Sequence, residues 1–378
     1  MTNQTKWLAI IIIVIIIIAG VWYYGGKGSS VPTNLPEVIK IGGSLSLTGQ
    51  LSDYGQAAQR GMDLALDQIN KDGKKVEIVY EDEKSIPEGT VTALQKFISV
   101  DHVPVVVGLQ GSSGMLAAAP IANSNKVVIL STLSSSDDIT KAGDYVFRIR
   151  ETSGAHGVAM ADYVKKNLKL NKVALYYANA ANGISYADAF KKEFLKIGGQ
   201  IIFEDKYMEK SKDYRGALIK LKATNPEAVY LAGLSPDMAQ IMTQAKELNI
   251  RTVWTSSTGA ESPKLFELGK SSVDGLIFTS PAFNPEQSTS TRDFVAAYQT
   301  KYNELPNFGA ANGYDAVMVV YEVIKKFGYD GEKIKNGLYT IQNYPGVGGT
   351  FSFDQNGDVT KPILFKVVQN GQFVPLGQ

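Results

Sequence analysis

The pattern that most constrains this chain is a regular alternation of short β-branched runs with amphipathic helical stretches, starting near Val38. Residues 38–46 predict a strand, and residues 56–70 predict the next helix because their apolar side chains recur at three- and four-residue spacing. The runs 104–109 and 127–130 are continuously apolar, which is typical of central parallel strands buried on both faces. The sequence therefore predicts an α/β fold in which helices cover a mostly parallel sheet.

The same alternation restarts after about residue 152, and 378 residues exceed the usual size of a single hydrophobic core. We therefore expect two α/β lobes with a cleft between them. Further strands are predicted at 75–80, 173–177, 200–203, 228–232, 252–255 and 275–279. Further helices are predicted at 155–166, 186–197, 214–223, 236–248, 291–302 and 313–327, and a capping box at 85–88 predicts one more. The tail predicts short strands at 350–353 and 364–368, with hairpin turns at Asn356-Gly357 and Asn370-Gly371.

An uninterrupted apolar run extends from Trp7 to Tyr24. As a helix it would cover about 27 Å, close to the thickness of the hydrocarbon core of a bilayer. A cleaved signal peptide needs a shorter run and small residues at the cleavage site, whereas bulky residues follow Ala19-Gly20 here. We expect residues 1–24 to be a transmembrane anchor and residues 25–37 a flexible linker that leaves the folded part outside the membrane. A secreted or periplasmic protein released by cleavage is the alternative.

Charge and composition exclude several classes of function. The net charge is +1, so the chain lacks the basic surface expected of a nucleic-acid-binding protein. There is no cysteine for disulfides, thiolate metal sites or a cysteine nucleophile. The two histidines, His102 and His156, are far apart in the sequence. We therefore predict no catalytic residues, no metal site and no cofactor, and a binding function instead of an enzymatic one.

Three glycine- and serine-rich loops follow predicted strands of the first block, where α/β sheets bind ligands. They span residues 46–55, 108–114 and 131–136. In the second loop, free N–H groups at a helix start and the hydroxyls of Ser112 and Ser113 would converge on an anion such as a carboxylate. Each loop alone is also explained by ordinary helix capping. Three such loops on one lobe predict a ligand site. None of the three loops carries a phosphate-loop or hydrolase-elbow motif.

The first loop, SLTGQLSDYG, followed by a helix that ends in DQIN, resembles the opening of the branched-chain amino-acid-binding family of ABC transporter solute receptors. VVVGLQGSSG, VVILSTLSSSDDIT, YVFRIRET and GVGGTFSFDQNGD follow in the order and at the spacing of that family. The resemblance covers about residues 38–375 and implies the type I periplasmic binding protein fold, with two Rossmann-like lobes and a three-stranded hinge. It implies that lobe 1 comprises 38–150 plus 284–345 and lobe 2 comprises 151–283 plus 346–378. The hinge strands are expected near 147–151, 279–283 and 344–349.

The resemblance also implies roles for residues of the first lobe. Ser112 matches the serine that holds the ligand carboxylate together with backbone N–H groups. Ser135 matches a threonine that binds the ligand amino group through its hydroxyl, and Leu133 matches a neighbour that offers its carbonyl. Tyr54 matches an aromatic residue that lines the cleft. Ser113 and Ser134 complete the candidate site on this lobe.

The second lobe departs from the family pattern. Asn182, Ser235 and Thr258 are the expected contacts, yet they stand where the family carries a tyrosine, a tyrosine and an acidic residue that faces the ligand ammonium. Glu261, three positions on, is the candidate replacement for that acid. If no acid reaches the cleft, the ligand is an amide, a carboxylate without an amine, or an aromatic acid.

The function that the resemblance implies is solute capture. We expect an extracytoplasmic solute-binding protein that closes by a hinge on an amino acid or related small carboxylate. Its partners would be that ligand, the permease subunits of an ABC importer, and the membrane through residues 7–24. The alternatives are a ligand-binding sensor subunit that signals to a partner protein and a hydrolase of the same shape.

Overall fold

The computed structural model of the protein describes residues 35–71, 73 and 75–376. The predicted anchor at 1–24 and the linker up to residue 34 lie outside this range. Within it, none of the helices combines the length and the apolar character needed to cross a membrane.

The strands follow the predicted runs closely. They are β1 Ile39–Leu45, β2 Val76–Asp82, β3 Val105–Gly108, β4 Val128–Ser131, β5 Val146–Arg148, β6 Lys172–Ala178, β7 Gln200–Tyr207, β8 Ala228–Ala232, β9 Val253–Ser256, β10 Ile277–Pro281, β11 Tyr344–Gly346, β12 Gly349–Phe351, β13 Ile363–Gln369 and β14 Gln372–Pro375. All residues of β3, β4 and β8 are buried, which explains why these runs lack the polar alternation of a half-exposed strand.

The helices alternate with these strands along the chain. They are α1 Ser52–Asn70, α2 Pro87–Ser99, α3 Ser112–Asn125, α4 Ser153–Asp162, α5 Ala181–Lys196, α6 Arg215–Ala223, α7 Ser235–Glu247, α8 Lys264–Gly269, α9 Thr289–Tyr302, α10 Phe308–Phe327 and α11 Gly331–Leu338. The predicted capping box at 85–88 is wrong. Helix α2 begins at Pro87, and the Ser85 hydroxyl donates to the Thr48 carbonyl and accepts from the Leu51 N–H instead.

Two large sheets form the core of the molecule. The first has the order β2-β1-β3-β4-β5, and all its strand pairs are parallel. The second has the order β14-β13-β10-β9-β8-β6-β7, in which β13 and β14 join antiparallel to an otherwise parallel sheet. The turn between those two strands contains Asn370 and Gly371, both with positive φ, so the predicted hairpin turn is confirmed. The predicted α/β architecture with mostly parallel sheets is therefore confirmed.

Close helix packing supports the first sheet. A Cβ on Gly61 of α1 would lie 1.9 Å from the carbonyl oxygen of Ala310 in α10, and a Cβ on Gly313 would lie 2.3 Å from that of Ala58. Glycine at both positions therefore lets the backbones of α1 and α10 approach each other. This contact brings residues 308–327 onto the same core as β1 and β3.

The chain passes between the two sheets three times, at residues 149–152, 282–288 and 360–362. We call the part built on the first sheet (35–148 and 289–359) lobe 1 and the part built on the second sheet (153–281 and 363–376) lobe 2.

The third passage differs from the sequence prediction, which placed a hinge strand at 344–349 and assigned 346–378 to lobe 2. Residues 344–351 instead form a two-stranded hairpin whose Phe351 packs with Phe353 in the core of lobe 1. The Phe353 ring lies 5.4 Å from the ring of Phe147. Burial of these aromatic side chains keeps the chain on lobe 1 until about residue 360.

Candidate ligand-binding cleft

A cavity of about 190 Å³ lies where the carboxyl ends of the strands of both lobes meet. It is lined by residues of both lobes: Gln50, Leu51, Tyr54, Ser85, Ile86, Pro87, Thr90, Gln110, Gly111, Ser112, Ser113, Gly114, Leu133, Ser135, Asn179, Ala180, Asn182, Tyr186, Glu209, Leu234, Thr258, Gly259 and Phe308, with Arg150 from the first passage. The three glycine- and serine-rich loops predicted from the sequence all contribute to this wall.

Direct bonds join the two lobes around the cavity. The Tyr54 hydroxyl of lobe 1 lies 2.8 Å from the carbonyl oxygen of Glu261 and 3.3 Å from that of Thr258. The Gln50 amide donates to Asp237 across the cleft at 3.0 Å. The lobes are therefore in direct contact beside the cavity, as in a closed clamp.

Ser112 stands at the start of α3, beside the cavity. Its Oγ accepts the backbone N–H groups of Ser135 at 3.0 Å and of Ser136 at 3.2 Å. Both lone pairs of the hydroxyl are thereby used, so its proton is left to donate. The residue before the helix, Gly111, supplies no side-chain cap, and the first N–H groups of α3 add further donors. This corner therefore offers hydrogen-bond donors to an anion.

Ser113 also lines the cavity, and its hydroxyl lies 3.5 Å from the Ala181 N–H of lobe 2. Ser134 is placed differently, since its hydroxyl points away from the cavity and donates to the Leu109 carbonyl at 2.6 Å. The structure thus brings Ser113, but not Ser134, to the cavity wall.

Leu133 and Ser135 line the cavity, but neither of their predicted acceptor groups is free of a protein donor. The Leu133 carbonyl accepts from Arg150 Nη1 at 3.0 Å. The Ser135 hydroxyl accepts from the Ser153 hydroxyl at 2.9 Å and lies 3.3 Å from the Tyr186 hydroxyl. The groups that the resemblance assigns to a ligand amine are therefore engaged by this protein's own side chains.

Lobe 2 contributes Asn182 and Thr258 to the cavity but not the other two predicted residues. The Ser235 hydroxyl donates to the Gly259 carbonyl at 2.6 Å. The Glu261 carboxylate binds the Ser280 hydroxyl and forms an ion pair with Lys366. Glu261 reaches the cleft through its backbone carbonyl, and its charge is directed away from the cavity.

Arg150 is a charged cavity residue that sequence reasoning missed. It is 3 % exposed, and its guanidinium donates to the Leu133 carbonyl and, at 3.0 Å, to the Thr258 hydroxyl. The only sequence signal is a second arginine in the motif YVFRIRET, where Arg148 is the other. Arg148 instead forms a buried two-bond ion pair with Asp358, at 2.6 and 2.8 Å. Two residues with the same side chain thus have different roles, one in the core and one at the cavity.

Tyr186, Phe308 and Glu209 are among the other cavity residues that were not predicted. The rings of Tyr186 and Phe308 line the wall, and the carboxyl group of Glu209 is the acid that lobe 2 supplies. Burial, and next the charge of Asp237, raise the pKa of Glu209. The family pattern did not indicate these three residues, because their place in the cavity depends on how one lobe docks on the other.

Comparison with known proteins agrees with this architecture. A family described as periplasmic binding protein matches residues 38–372. A Leu/Ile/Val-binding protein homologue of Brucella melitensis is 27% identical over 331 residues, which are 86% of this chain and 89% of the relative. The crystal structure of a leucine binding protein from Thermotoga maritima has a TM-score of 0.86 at 29% identity, covering 90% of this chain and 98% of the other. A branched-chain amino acid transporter substrate binding protein of Streptococcus pneumoniae, solved with isoleucine, has a TM-score of 0.81 at 28% identity, covering 90% and 99%.

Proposed function

Since the chain belongs to the periplasmic binding protein family, we propose that it is the solute-binding protein of an ABC-type importer and captures a small carboxylate in the cleft between its lobes. Members of this family are extracytoplasmic solute-binding proteins and not enzymes, which supports a binding function. An amino acid or a related acid is the proposed class of ligand.

The observation that carries the proposal is a cavity lined by both lobes and bridged by bonds between them. A ligand in such a cavity contacts both lobes only when they are close together. Its binding therefore shifts the population from open to closed forms. The three chain passages at 149–152, 282–288 and 360–362 are the segments about which we propose that the lobes rotate.

The carboxylate is assigned to the corner formed by Ser112 and the start of α3. The Ser112 hydroxyl accepts two backbone N–H groups, which leaves its own proton to donate to a ligand, and the positive end of the helix favours an anion. The names of the relatives described above specify leucine, isoleucine and valine, which supports a small ligand that carries a carboxylate.

The partner that would recognise the closed form is the permease of the importer. The predicted anchor between Trp7 and Tyr24, outside the described residues, would hold the protein at the membrane, and it stays a prediction from the sequence.

A thermal-shift screen tests the proposal. The purified full chain is heated with amino acids, their amides, aliphatic and aromatic acids, and sugars. A ligand at 100 times its dissociation constant adds about 2.7 kcal/mol to the free energy of unfolding, which is visible as a higher melting temperature. A shift with one or more carboxylates is expected. A melting temperature unchanged by every compound would contradict solute capture.

A further inference from the structure

We propose that the Arg150 guanidinium selects a carboxylate that has no α-ammonium group. This rests on the proposed function and concerns the ligand of the same cavity. The observation behind it is that the inner wall of the cavity, around Arg150, presents a cation and hydrogen-bond donors but no unengaged acceptor for an ammonium.

The first step concerns the surroundings of Arg150. Its Nε and two Nη atoms contact the backbone carbonyls of Glu151 and Leu133 and the hydroxyls of Thr258 and Tyr186, at 3.0 to 3.3 Å. All four acceptors are neutral. A guanidinium has five N–H groups, so these contacts leave one N–H for a further acceptor.

The second step concerns charge. No ion pair among the described residues includes Arg150. The neighbouring carboxylate of Glu151 lies 3.7 Å from His156 Nε2 instead of against the guanidinium. The charge of Arg150 acts on the buried Glu151 carboxylate, but no hydrogen bond joins the two groups. A ligand carboxylate in the cavity would therefore supply the direct anionic contact that the guanidinium lacks.

The third step concerns the acceptors that an α-ammonium would need. An ammonium requires up to three acceptors close to the carboxylate. Beside the Ser112 corner, the Leu133 carbonyl and the Thr258 hydroxyl already receive hydrogen bonds from Arg150, and the Ser135 hydroxyl receives one from Ser153. An ammonium placed there would have to share each acceptor with a donor that already occupies one lone pair, and beside Leu133 and Thr258 it would stand next to a like charge.

The acid on the cavity wall, Glu209, makes no hydrogen bond to Arg150. Glu209 also forms no ion pair within the described part of the chain. The guanidinium and the acid therefore share the cavity without a direct bond, and the acceptors that contact the guanidinium are all neutral.

The test compares acids that differ only by the α-amino group. Isothermal titration of the full chain at pH 7.5 would measure leucine against 4-methylpentanoate and phenylalanine against 3-phenylpropanoate. We expect an amine-free acid to bind at least about 100-fold more tightly than its amino acid, because two like charges about 4 Å apart in a partly buried site repel strongly. Equal affinities, or tighter binding of the amino acid, would overturn the inference and leave the proposed function standing.

An Arg150→Gln variant gives a second readout. Glutamine keeps a donor but removes the charge, so the amine-free acid should bind at least about 30-fold more weakly. The preference for it over the amino acid should also fall by about tenfold. Arg292→Gln, which alters an exposed arginine bonded only within its own segment, is the matched control and should bind like the wild type.

These outcomes separate the two proposals. If Arg150→Gln does not fold, the comparison of acid pairs on the wild type still decides the inference. Binding of amides or sugars without any carboxylate would overturn the role of Arg150 but keep a solute-binding clamp. Absence of binding across the whole thermal-shift panel would overturn both.

Discussion

Removal of the Tyr54 hydroxyl tests whether direct bonds between the lobes help to hold the cleft closed. Tyr54 is 4 % exposed, and its hydroxyl lies 2.8 Å from the Glu261 carbonyl and 3.3 Å from the Thr258 carbonyl. One proton serves both acceptors, so Tyr54→Phe removes one hydrogen bond and leaves two carbonyls without that donor when the lobes close. Such a loss costs about 1–2 kcal/mol in a buried site.

The cost appears in ligand affinity because water can replace the hydroxyl in the open form but not in the closed one. About 1.4 kcal/mol corresponds to a tenfold change in the dissociation constant. We therefore expect Tyr54→Phe to raise the dissociation constant of a carboxylate about tenfold in isothermal titration, with most of the change in the dissociation rate.

A matched control is Tyr329→Phe. The Tyr329 hydroxyl also donates to a backbone carbonyl, that of Lys40 at 2.6 Å, but both residues belong to lobe 1. This variant should bind ligand like the wild type. An affinity of Tyr54→Phe within twofold of the wild type would refute the reasoning that the inter-lobe bond stabilises closure.

Four other substitutions test the carboxylate site, the core pair and the helix packing. Ser112→Ala should weaken carboxylate binding about tenfold in isothermal titration, and Ser113→Ala by less than about threefold, since only Ser112 is fixed by two backbone N–H groups. Asp358→Asn should lower the free energy of unfolding by about 3 kcal/mol in urea denaturation, because it leaves the buried guanidinium of Arg148 without its carboxylate. Gly61→Ala should lower the same free energy by about 2 kcal/mol, because its methyl group would meet a helix backbone at 1.9 Å.

Each of these has a result that contradicts it. Equal affinities of the two serine variants would remove the carboxylate from the start of α3. A wild-type urea midpoint for Asp358→Asn would mean that the ion pair contributes no stability. Gly216→Ala is the control for helix packing, since no atom lies within 4 Å of its added methyl. It should stabilise the protein by about 0.5–1 kcal/mol, and an equal loss in both glycine variants would contradict the packing argument.

The strands were predictable because burial on both faces selects continuous apolar runs, such as Val105–Gly108 and Ala228–Ala232. The starts of the helices were less predictable. Helix α10 begins at Phe308, five residues before the predicted start, because Asn307 caps it and the glycines of its first turns pack against α1. Helix α11 was missed altogether, since Gly331 and Gly337 give it a weak intrinsic propensity that packing overrides.

The candidate site, too, could be predicted only in part. The loops after β1, β3 and β4 could be found because their position follows from strand order and chemistry alone. Arg150 could not, because its role depends on where lobe 2 places Thr258 and Tyr186. Likewise, the sequence spacing that made Glu261 a candidate for the missing acid carries no information about its pairing with Lys366.

The central claim is that a carboxylate closes the two lobes over the cavity, and the distance between the lobes tests it most directly. Because the chain has no cysteine, Glu88→Cys and Met208→Cys would place two spin labels on exposed positions, each beside the cavity, on opposite lobes. Pulsed electron paramagnetic resonance of the full chain would then be recorded with and without a carboxylate that raises the melting temperature. We predict a shorter and narrower distance distribution with the ligand. The same distribution in both samples would contradict closure by ligand binding.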